Sequence, residues 1–213
     1  MTSGSKWALV PAFLTIAITA TLLSAYSGAS SSQGFSPVQP IDFPHPVHVK
    51  SLGLNCLYCH YSANKSPDPG LPAVGTCMGC HTLIGPNRPA IDGQPARQSA
   101  EIRKLQEFAP IGQPDKWQAI PWVRIHKLPE YVRFPHMRHV NAGVTCQSCH
   151  GPIQDMQRVS QHASLNMGWC LSCHVKGYDL KAGLTAAGDS AGAAQLAASE
   201  PKKARYDCAI CHY

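Results

Sequence analysis

The longest apolar stretch of the chain lies near its start. Residues Trp7 to Tyr26 contain no charged side chain. A helix over these positions is about 30 Å long, which matches the hydrocarbon core of a bilayer. Lys6 precedes the stretch, and this positive charge favours an N-terminus in the cytoplasm. The pattern predicts one transmembrane helix, and the alternative is a signal peptide cleaved near Ser24–Tyr26 or Gly28–Ser30.

The rest of the chain lacks long periodic segments. Charged residues make up only 14% of the sequence and Pro occurs 18 times, which favours loops and short helices. One helix is predicted from Ala96 to Phe108, because Ile102, Leu105 and Phe108 fall on one side and Pro110 follows. Residues 182–200 are rich in Ala, Gly and Ser and are predicted as a flexible loop, with a marginal Ala-rich helix as the alternative.

All ten cysteines fall in five copies of the motif C-x-x-C-H. Because His accounts for only 11 of 213 residues, five chance placements of His directly after the second Cys are excluded. Two thiols at this spacing match the vinyl groups of one porphyrin, and the following imidazole reaches its iron. The motifs predict five haem c groups with thioether bonds from Cys56, Cys59, Cys77, Cys80, Cys146, Cys149, Cys170, Cys173, Cys208 and Cys211. The predicted proximal iron ligands are His60, His81, His150, His174 and His212.

The predicted haems also predict a compartment. Haem attachment of this kind takes place on the outer side of the cytoplasmic membrane. Together with the N-terminal apolar stretch, it predicts a single-pass protein of the cytoplasmic (inner) membrane with its haem domain on the periplasmic side. No cysteine remains for disulfides or for a lipid anchor.

A second motif, F-P-H-x-x-H, occurs at Phe43–His48 and again at Phe134–His139. Each copy precedes two haem motifs, so the chain reads as two similar modules followed by a fifth haem. The predicted divisions are a cytoplasmic N-terminus (1–6), a transmembrane anchor (7–26), a linker (27–40), a first dihaem module (41–90), a connector (91–125), a second dihaem module (126–180), and a linker with the fifth haem (181–213).

Histidines outside the motifs are numerous enough to provide a second ligand for every iron. The two F-P-H-x-x-H copies each carry His at positions i and i+3, which share one helical face, so one can bind its own haem and the other an adjacent haem. The predicted distal ligands are His45, His48, His126, His136 and His139, and Met167 and His162 are further candidates. Irons with two protein ligands suit electron transfer, whereas a catalytic haem needs an open position, so no catalytic residue is predicted.

The formal charge of +6 does not predict nucleic-acid binding. Haem propionates would offset most of this charge and would pair with basic side chains. Lys202, Lys203 and Arg205, just before the last motif, are either a solvated charge run or a docking patch.

With its F-P-H-x-x-H and C-x-x-C-H units, the chain resembles class III cytochromes (the c3 and c7 families). That resemblance implies that His45 serves the haem of Cys56 and His136 the haem of Cys146, while His48 and His139 bind neighbouring haems. The expected fold is mostly loop plus short α-helices: a multihaem cytochrome c (class III-like) domain with one N-terminal transmembrane helix.

A closer resemblance covers most of the chain. The apolar N-terminus, the five motifs, the run Arg124–Val132, the run Met167–Cys170 and the final Cys-His-Tyr look like the pentahaem subunit of alternative complex III. The resemblance implies electron transfer within a complex that oxidises membrane quinol and reduces a periplasmic acceptor. The implied partners are an iron–sulfur subunit, polytopic quinol-binding subunits and a monohaem cytochrome c.

Three other functions are weighed against this one. A self-sufficient, membrane-anchored quinol dehydrogenase shares the anchor, but typically has four haems. A multihaem reductase typically has one motif with Lys in place of the proximal His, and all five motifs here end in His. In the haem subunit of a photosynthetic reaction centre, Met ligands precede each motif, and only Met167 stands in such a place.

Overall fold

The computed structural model describes residues 5–26, 32–91, 93, 95–189, 194 and 203–212. All five C-x-x-C-H motifs lie within these ranges. The predicted cytoplasmic segment 1–6, the linker 27–40 and the loop 182–200 lie partly outside them.

The N-terminal apolar stretch forms the longest helix among the described residues, α1 (Ser5–Tyr26). Large apolar side chains along it are exposed, among them Phe13 and Ile16. No helix in the described part of the chain combines the length and apolar character needed to cross a membrane. The structure therefore does not support the transmembrane span predicted for residues 7–26.

Elsewhere the chain consists of short helices joined by loops, as the sequence predicts. The helices are α2 (Cys56–Cys59), α3 (Val74–His81), α4 (Ala100–Phe108), α5 (His136–Asn141), α6 (Cys146–His150), α7 (Met167–Lys176), α8 (Leu180–Ala186) and α9 (Cys208–Cys211). Three single turns complete them: a π-helical turn at Pro46–Ser51 and 3-10 turns at Pro114–Lys116 and Ile153–Asp155. Each haem motif thus begins on a helix.

The only sheet among the described residues is a hairpin in the connector. Strands β1 (Asn87–Arg88) and β2 (Arg97–Gln98) pair antiparallel, with Asn87 opposite Gln98. Because β2 occupies positions 97 and 98, helix α4 starts at Ala100 rather than at the predicted Ala96. Ser99 caps it, accepting a hydrogen bond from the Ile102 N–H at 3.2 Å.

Helix α4 supplies part of a small apolar core. Leu105 is buried and Phe108 is half-buried against the same cluster, which confirms the side of the helix predicted to pack. The other buried members come from the start of the first module, from α3 and from the connector: Ile41, Met78, Ala109 and Ile120. Trp117 and Trp122 pack against this core rather than standing free, and the indole N–H of Trp117 donates to the Pro110 carbonyl at 3.1 Å.

Protein side chains alone bury little apolar surface in this fold. Besides the cluster above, Ala63 and Ala163 are the only buried apolar residues among those described. A domain of this size ordinarily buries a much larger core. Porphyrins bound at the five predicted haem motifs would supply apolar mass that the side chains alone do not.

The predicted loop at 182–200 is partly helical. Helix α8 covers Leu180–Ala186, and the Asp179 side chain caps it by accepting from the Ala182 N–H at 3.0 Å. The Ala-rich composition that suggested flexibility also carries a high helix propensity, and an aspartate cap was enough to start a helix. Most of the remaining positions up to 200 lie outside the described residues.

The core cluster gives the first testable prediction. Leu105→Ala should lower the free energy of unfolding of the haem-loaded protein by about 2–5 kcal/mol, because it opens a cavity beside Met78. Ile111→Ala, at an exposed position just after α4, should change it by less than about 0.5 kcal/mol. Urea unfolding followed by circular dichroism checks both variants, and equal losses would mean that α4 is not packed as described.

Candidate haem-binding site

The ten cysteines are placed for attachment rather than for disulfides. All ten are free thiols in the structure. Helices α2 and α7, which carry the first and fourth motifs, begin with asparagine caps: Asn55 accepts from the Leu57 N–H at 2.9 Å, and Asn166 from the Trp169 N–H at 2.7 Å. These caps fix the helical turn that sets the two thiols and the following imidazole in register.

Two pairs of imidazole rings have nearly the same geometry in the two modules. The ring centroids of His48 and His81 are 6.2 Å apart with planes inclined at 58°. Those of His139 and His174 are 6.1 Å apart and inclined at 54°. Each pair joins the second His of an F-P-H-x-x-H copy to the His of the second haem motif that follows it.

The separation of these rings fits one iron between them. An imidazole nitrogen binds a first-row transition metal at about 2 Å, so two such bonds plus the half-width of each ring span about 6 Å between centroids. Two rings in direct packing contact would lie closer. The donor set is the one that haem iron takes with two axial histidines.

Backbone carbonyls orient most of the imidazoles. A carbonyl only accepts, so an Nδ1 facing it must carry the proton, and Nε2 is left with its lone pair free for a metal. Six rings are held in this way: His48 by Pro44 (3.1 Å), His60 by Gly70 (3.1 Å), His81 by Ile84 (3.0 Å), His136 by Pro67 (3.1 Å), His139 by Pro135 (3.1 Å) and His174 by Arg205 (2.5 Å).

The phenylalanine of each F-P-H-x-x-H copy has a role that the sequence analysis missed. Phe43 stacks on His48 with a centroid distance of 4.2 Å and meets His45 edge-on at 5.0 Å. Phe134 meets His139 and His136 in the same two ways, at 4.3 Å and 4.9 Å. The recurrence of Phe-Pro before both histidine pairs could have indicated this role. In each copy the Phe supplies the stacked ring, and the Pro supplies the carbonyl that accepts from the second histidine.

A cluster of five imidazoles lies where the two modules meet. Burial lowers the pKa of His150 to about 3, and four other imidazoles add to the shift through charge repulsion: His126, His136, His60 and His45. The rings of His126 and His150 are in edge contact at 4.3 Å. The cluster holds the proximal histidines of the first and third motifs together with three of the five predicted distal ligands.

Two nitrogens of this cluster are buried without a hydrogen-bond partner. They are Nε2 of His126 and Nδ1 of His45. Burial lowers the pKa of both rings, that of His45 to about 4 with a further contribution from His60, so both are neutral. A buried, neutral imidazole nitrogen without a partner is costly unless it binds something, and imidazole nitrogens are common metal ligands.

The fifth motif has different surroundings. His212 stacks on Tyr131 at 5.7 Å, and its backbone forms an isolated antiparallel bridge with Val132. The Arg133 N–H donates to the Cys211 carbonyl at 2.7 Å. Among the described ring contacts of His212 there is no second imidazole, so the structure does not pair this motif with one of the predicted distal histidines.

The two further ligand candidates lie away from the paired rings. Met167 is 66% exposed at the first residue of α7, while His139 occupies the place facing His174. His162 lies over Gly151, the residue after His150: a Cβ built on Gly151 would approach the His162 ring to 2.5 Å. Gly151 also has a φ of +69°, so both its conformation and its surroundings require glycine.

The residues present fit covalently bound haem. They supply free thiol pairs on helices, imidazoles with Nε2 available, and two ring pairs with room for an iron. Haem c, once attached, supplies one-electron redox chemistry at its iron.

Comparisons with known proteins agree with this site. A model of the cytochrome c3 family matches residues 138–213, which contain the third, fourth and fifth motifs. The multiheme cytochrome c subunit of a menaquinone reductase from Nitratidesulfovibrio vulgaris (strain Hildenborough) is 26% identical over 156 residues, covering 64% of this chain and 67% of that protein. Both matches support a multihaem protein with c-type haem.

The close approach at Gly151 gives a second prediction. Gly151→Ala should destabilise the protein by more than Gly112→Ala, because both glycines have positive φ but only Gly151 has a ring against it. Adding His162→Ala to Gly151→Ala should restore part of the lost free energy of unfolding. Adding it to Gly112→Ala should restore none. Urea unfolding of the single and double variants measures the coupling, and additive effects would place His162 elsewhere.

Proposed function

We propose a specific role for this chain, which the comparisons support as a multihaem cytochrome c that transfers electrons and is related to a menaquinone reductase subunit. The proposed role is that of the haem subunit of a membrane complex exchanging electrons between quinol and a periplasmic acceptor. We propose that it carries five haems, one on each C-x-x-C-H motif.

One observation supports the electron-transfer role above all. The imidazole pairs His48–His81 and His139–His174 have ring centroids 6.2 and 6.1 Å apart, and each pair has a phenylalanine stacked on its first ring. An iron held by both rings of such a pair would have no position left for a substrate. At these two sites the chain's residues would act as ligands and insulators, and we propose the same electron-transfer role for the chain as a whole.

The proposed distal ligands follow from the same pairs. His48 serves the second motif and His139 the fourth. Three other imidazoles, His45, His126 and His136, lie around His60 and His150 and are proposed as ligands within that cluster. They outnumber its two proximal histidines, and none of them is assigned to the fifth motif, whose His212 has Tyr131 as its described ring contact.

Carbon monoxide binding tests the ligand assignment. The reduced wild-type protein should show little change in its Soret band with carbon monoxide if its irons have two protein ligands. His139→Ala should open one position and produce carbon monoxide binding at about one haem per chain, counted as pyridine haemochromogen. His162→Ala, the matched loss of an imidazole, should behave as wild type, and equal binding by both variants would contradict the pairing.

The choice of complex rests on two kinds of similarity. The motifs quoted above resemble the pentahaem subunit of alternative complex III, which favours quinol oxidation. The curated relative is named as a subunit of a menaquinone reductase, which favours the reverse direction. We propose the first, with an iron–sulfur subunit, polytopic quinol-binding subunits and a monohaem cytochrome c as partners; quinone reduction is the second candidate.

The proposed location is the periplasmic face of the cytoplasmic membrane, because haem is attached to C-x-x-C-H motifs outside the cytoplasm. Helix α1 carries exposed apolar side chains between residues 10 and 23, among them Phe13 and Leu22. We propose that this helix attaches the chain to the membrane part of the complex.

Gentle purification from native membranes tests the complex. The chain should resist extraction by carbonate, dissolve in mild detergent, and purify with an iron–sulfur subunit and polytopic subunits identified by mass spectrometry. The purified assembly should oxidise a quinol analogue faster than it reduces the quinone. A faster reverse reaction would select the quinone-reducing candidate.

Isolation of the chain alone would contradict the complex. If the isolated chain were still reduced by quinol in detergent, it would be a self-sufficient quinol dehydrogenase.

A further inference from the structure

We infer that the five haem motifs form a single row in the order second, first, third, fourth, fifth, with the second and fifth at its ends. This order differs from the order along the chain. It rests on the proposal that every motif carries a haem and deepens it, because it states which motifs are neighbours and which two can face a partner.

The second and first motifs are linked through the π-helical turn at Pro46–Ser51. His48 on the π-helical turn faces His81 of the second motif, at 6.2 Å between ring centroids. The Leu54 N–H donates to the His48 carbonyl at 3.0 Å, which ties this turn to the start of the first motif.

The first and third motifs meet across the module boundary. The loop after the first motif docks on α5 of the second module through three hydrogen bonds: His136 N–H to Pro67 O (3.0 Å), Met137 N–H to Ser66 O (3.2 Å) and the Asn141 side chain to Asn64 O (3.0 Å).

The third and fourth motifs are joined through one tyrosine. Tyr178 lies four residues beyond His174, and its hydroxyl meets the Ser148 hydroxyl of the third motif at 2.9 Å and accepts from the Thr145 N–H at 3.2 Å. These two hydrogen bonds hold the third motif against the segment that follows the fourth.

The fourth and fifth motifs are joined by the segment before α9. Nδ1 of His174 donates to the Arg205 carbonyl at 2.5 Å, and the Ala204 N–H donates to the His174 carbonyl at 3.3 Å. Cys211 also contributes, after burial, to the raised pKa of Cys170. The last motif is thus fixed to the fourth motif and to residues 131–133.

Exposure agrees with this order independently. Of the ten cysteines, only Cys80 and Cys208 are exposed, and they belong to the second and fifth motifs. The cysteines of the first, third and fourth motifs are all half-buried. The two ends of the row are therefore the places where a redox partner can approach most closely.

The repeat offers a matched pair of variants for testing the row. His48→Met and His139→Met replace equivalent residues of the two modules, and a Met ligand raises the midpoint potential of its haem. The altered charge state at that haem shifts the potentials of its close neighbours, and the effect falls off with distance. In the proposed order the second motif has one neighbour and the fourth has two.

The experiment is a redox titration of the protein as purified, followed by electron paramagnetic resonance, which resolves individual ferric haems. His48→Met should shift the midpoint potential of one haem besides its own. His139→Met should shift the midpoint potentials of two other haems. Equal numbers of shifted neighbours, or a shift in the haem of the fourth or fifth motif on His48→Met, would overturn the order.

A second variant covers the case in which a Met variant fails to fold. Cys208→Ser with Cys211→Ser removes haem attachment at the fifth motif, so four haems should remain. Among these four, only the haem of the fourth motif should show a shifted midpoint potential. Two shifted potentials would show that the fifth motif is not an end. These measurements use neither quinol nor a partner protein, so they can contradict the haem order without contradicting the proposed complex. A wild-type protein with fewer than five haems would instead contradict the proposed function.

Discussion

Orientation of imidazole rings by the backbone is the constraint on which the rest of this structure depends. A histidine binds metal through Nε2 only if Nδ1 holds the proton, and a carbonyl facing Nδ1 enforces that choice. In both F-P-H-x-x-H copies the acceptor is the proline carbonyl four residues before the second histidine. The helical turn that provides this carbonyl also places the two histidines on one face, so backbone conformation and ligand geometry are fixed together.

The stacked phenylalanine strengthens the same arrangement. Its ring covers one side of the second histidine in each copy, which limits rotation of the imidazole and keeps water from it. The two copies agree closely in both ring distances, although the residues between the histidines differ (Pro-Val and Met-Arg). The geometry therefore follows from the Phe, Pro and His positions and tolerates exchange of the others.

A small protein core accompanies this ligand framework. The apolar cluster of the described residues is built from Ile41, α3, α4 and the segment after α4, while the regions around the third and fourth motifs are held mainly by hydrogen bonds, among them those of Tyr178 and of the Asn166 cap. Such a chain gains most of its apolar burial from its cofactors. Folding and haem attachment are therefore expected to be coupled, as ligand binding and folding are in other small metal-binding domains.

The sequence by itself determined the chemistry and the repeat. The C-x-x-C-H spacing identified the predicted attachment thiols and proximal imidazoles, and the recurrence of F-P-H-x-x-H identified the second histidine of each facing pair. Both motifs could be read from the sequence because each extends over only one or two helical turns. It also located helix α4, but placed its start four residues early and described positions 182–186 as loop, since strand pairing and a single cap decide such boundaries. Which imidazoles face each other, and which motifs are neighbours, depends on contacts between segments far apart in the sequence, such as Asn64 with Asn141, 77 positions away. Only the tertiary structure brings those segments together, because no local pattern records how two modules dock.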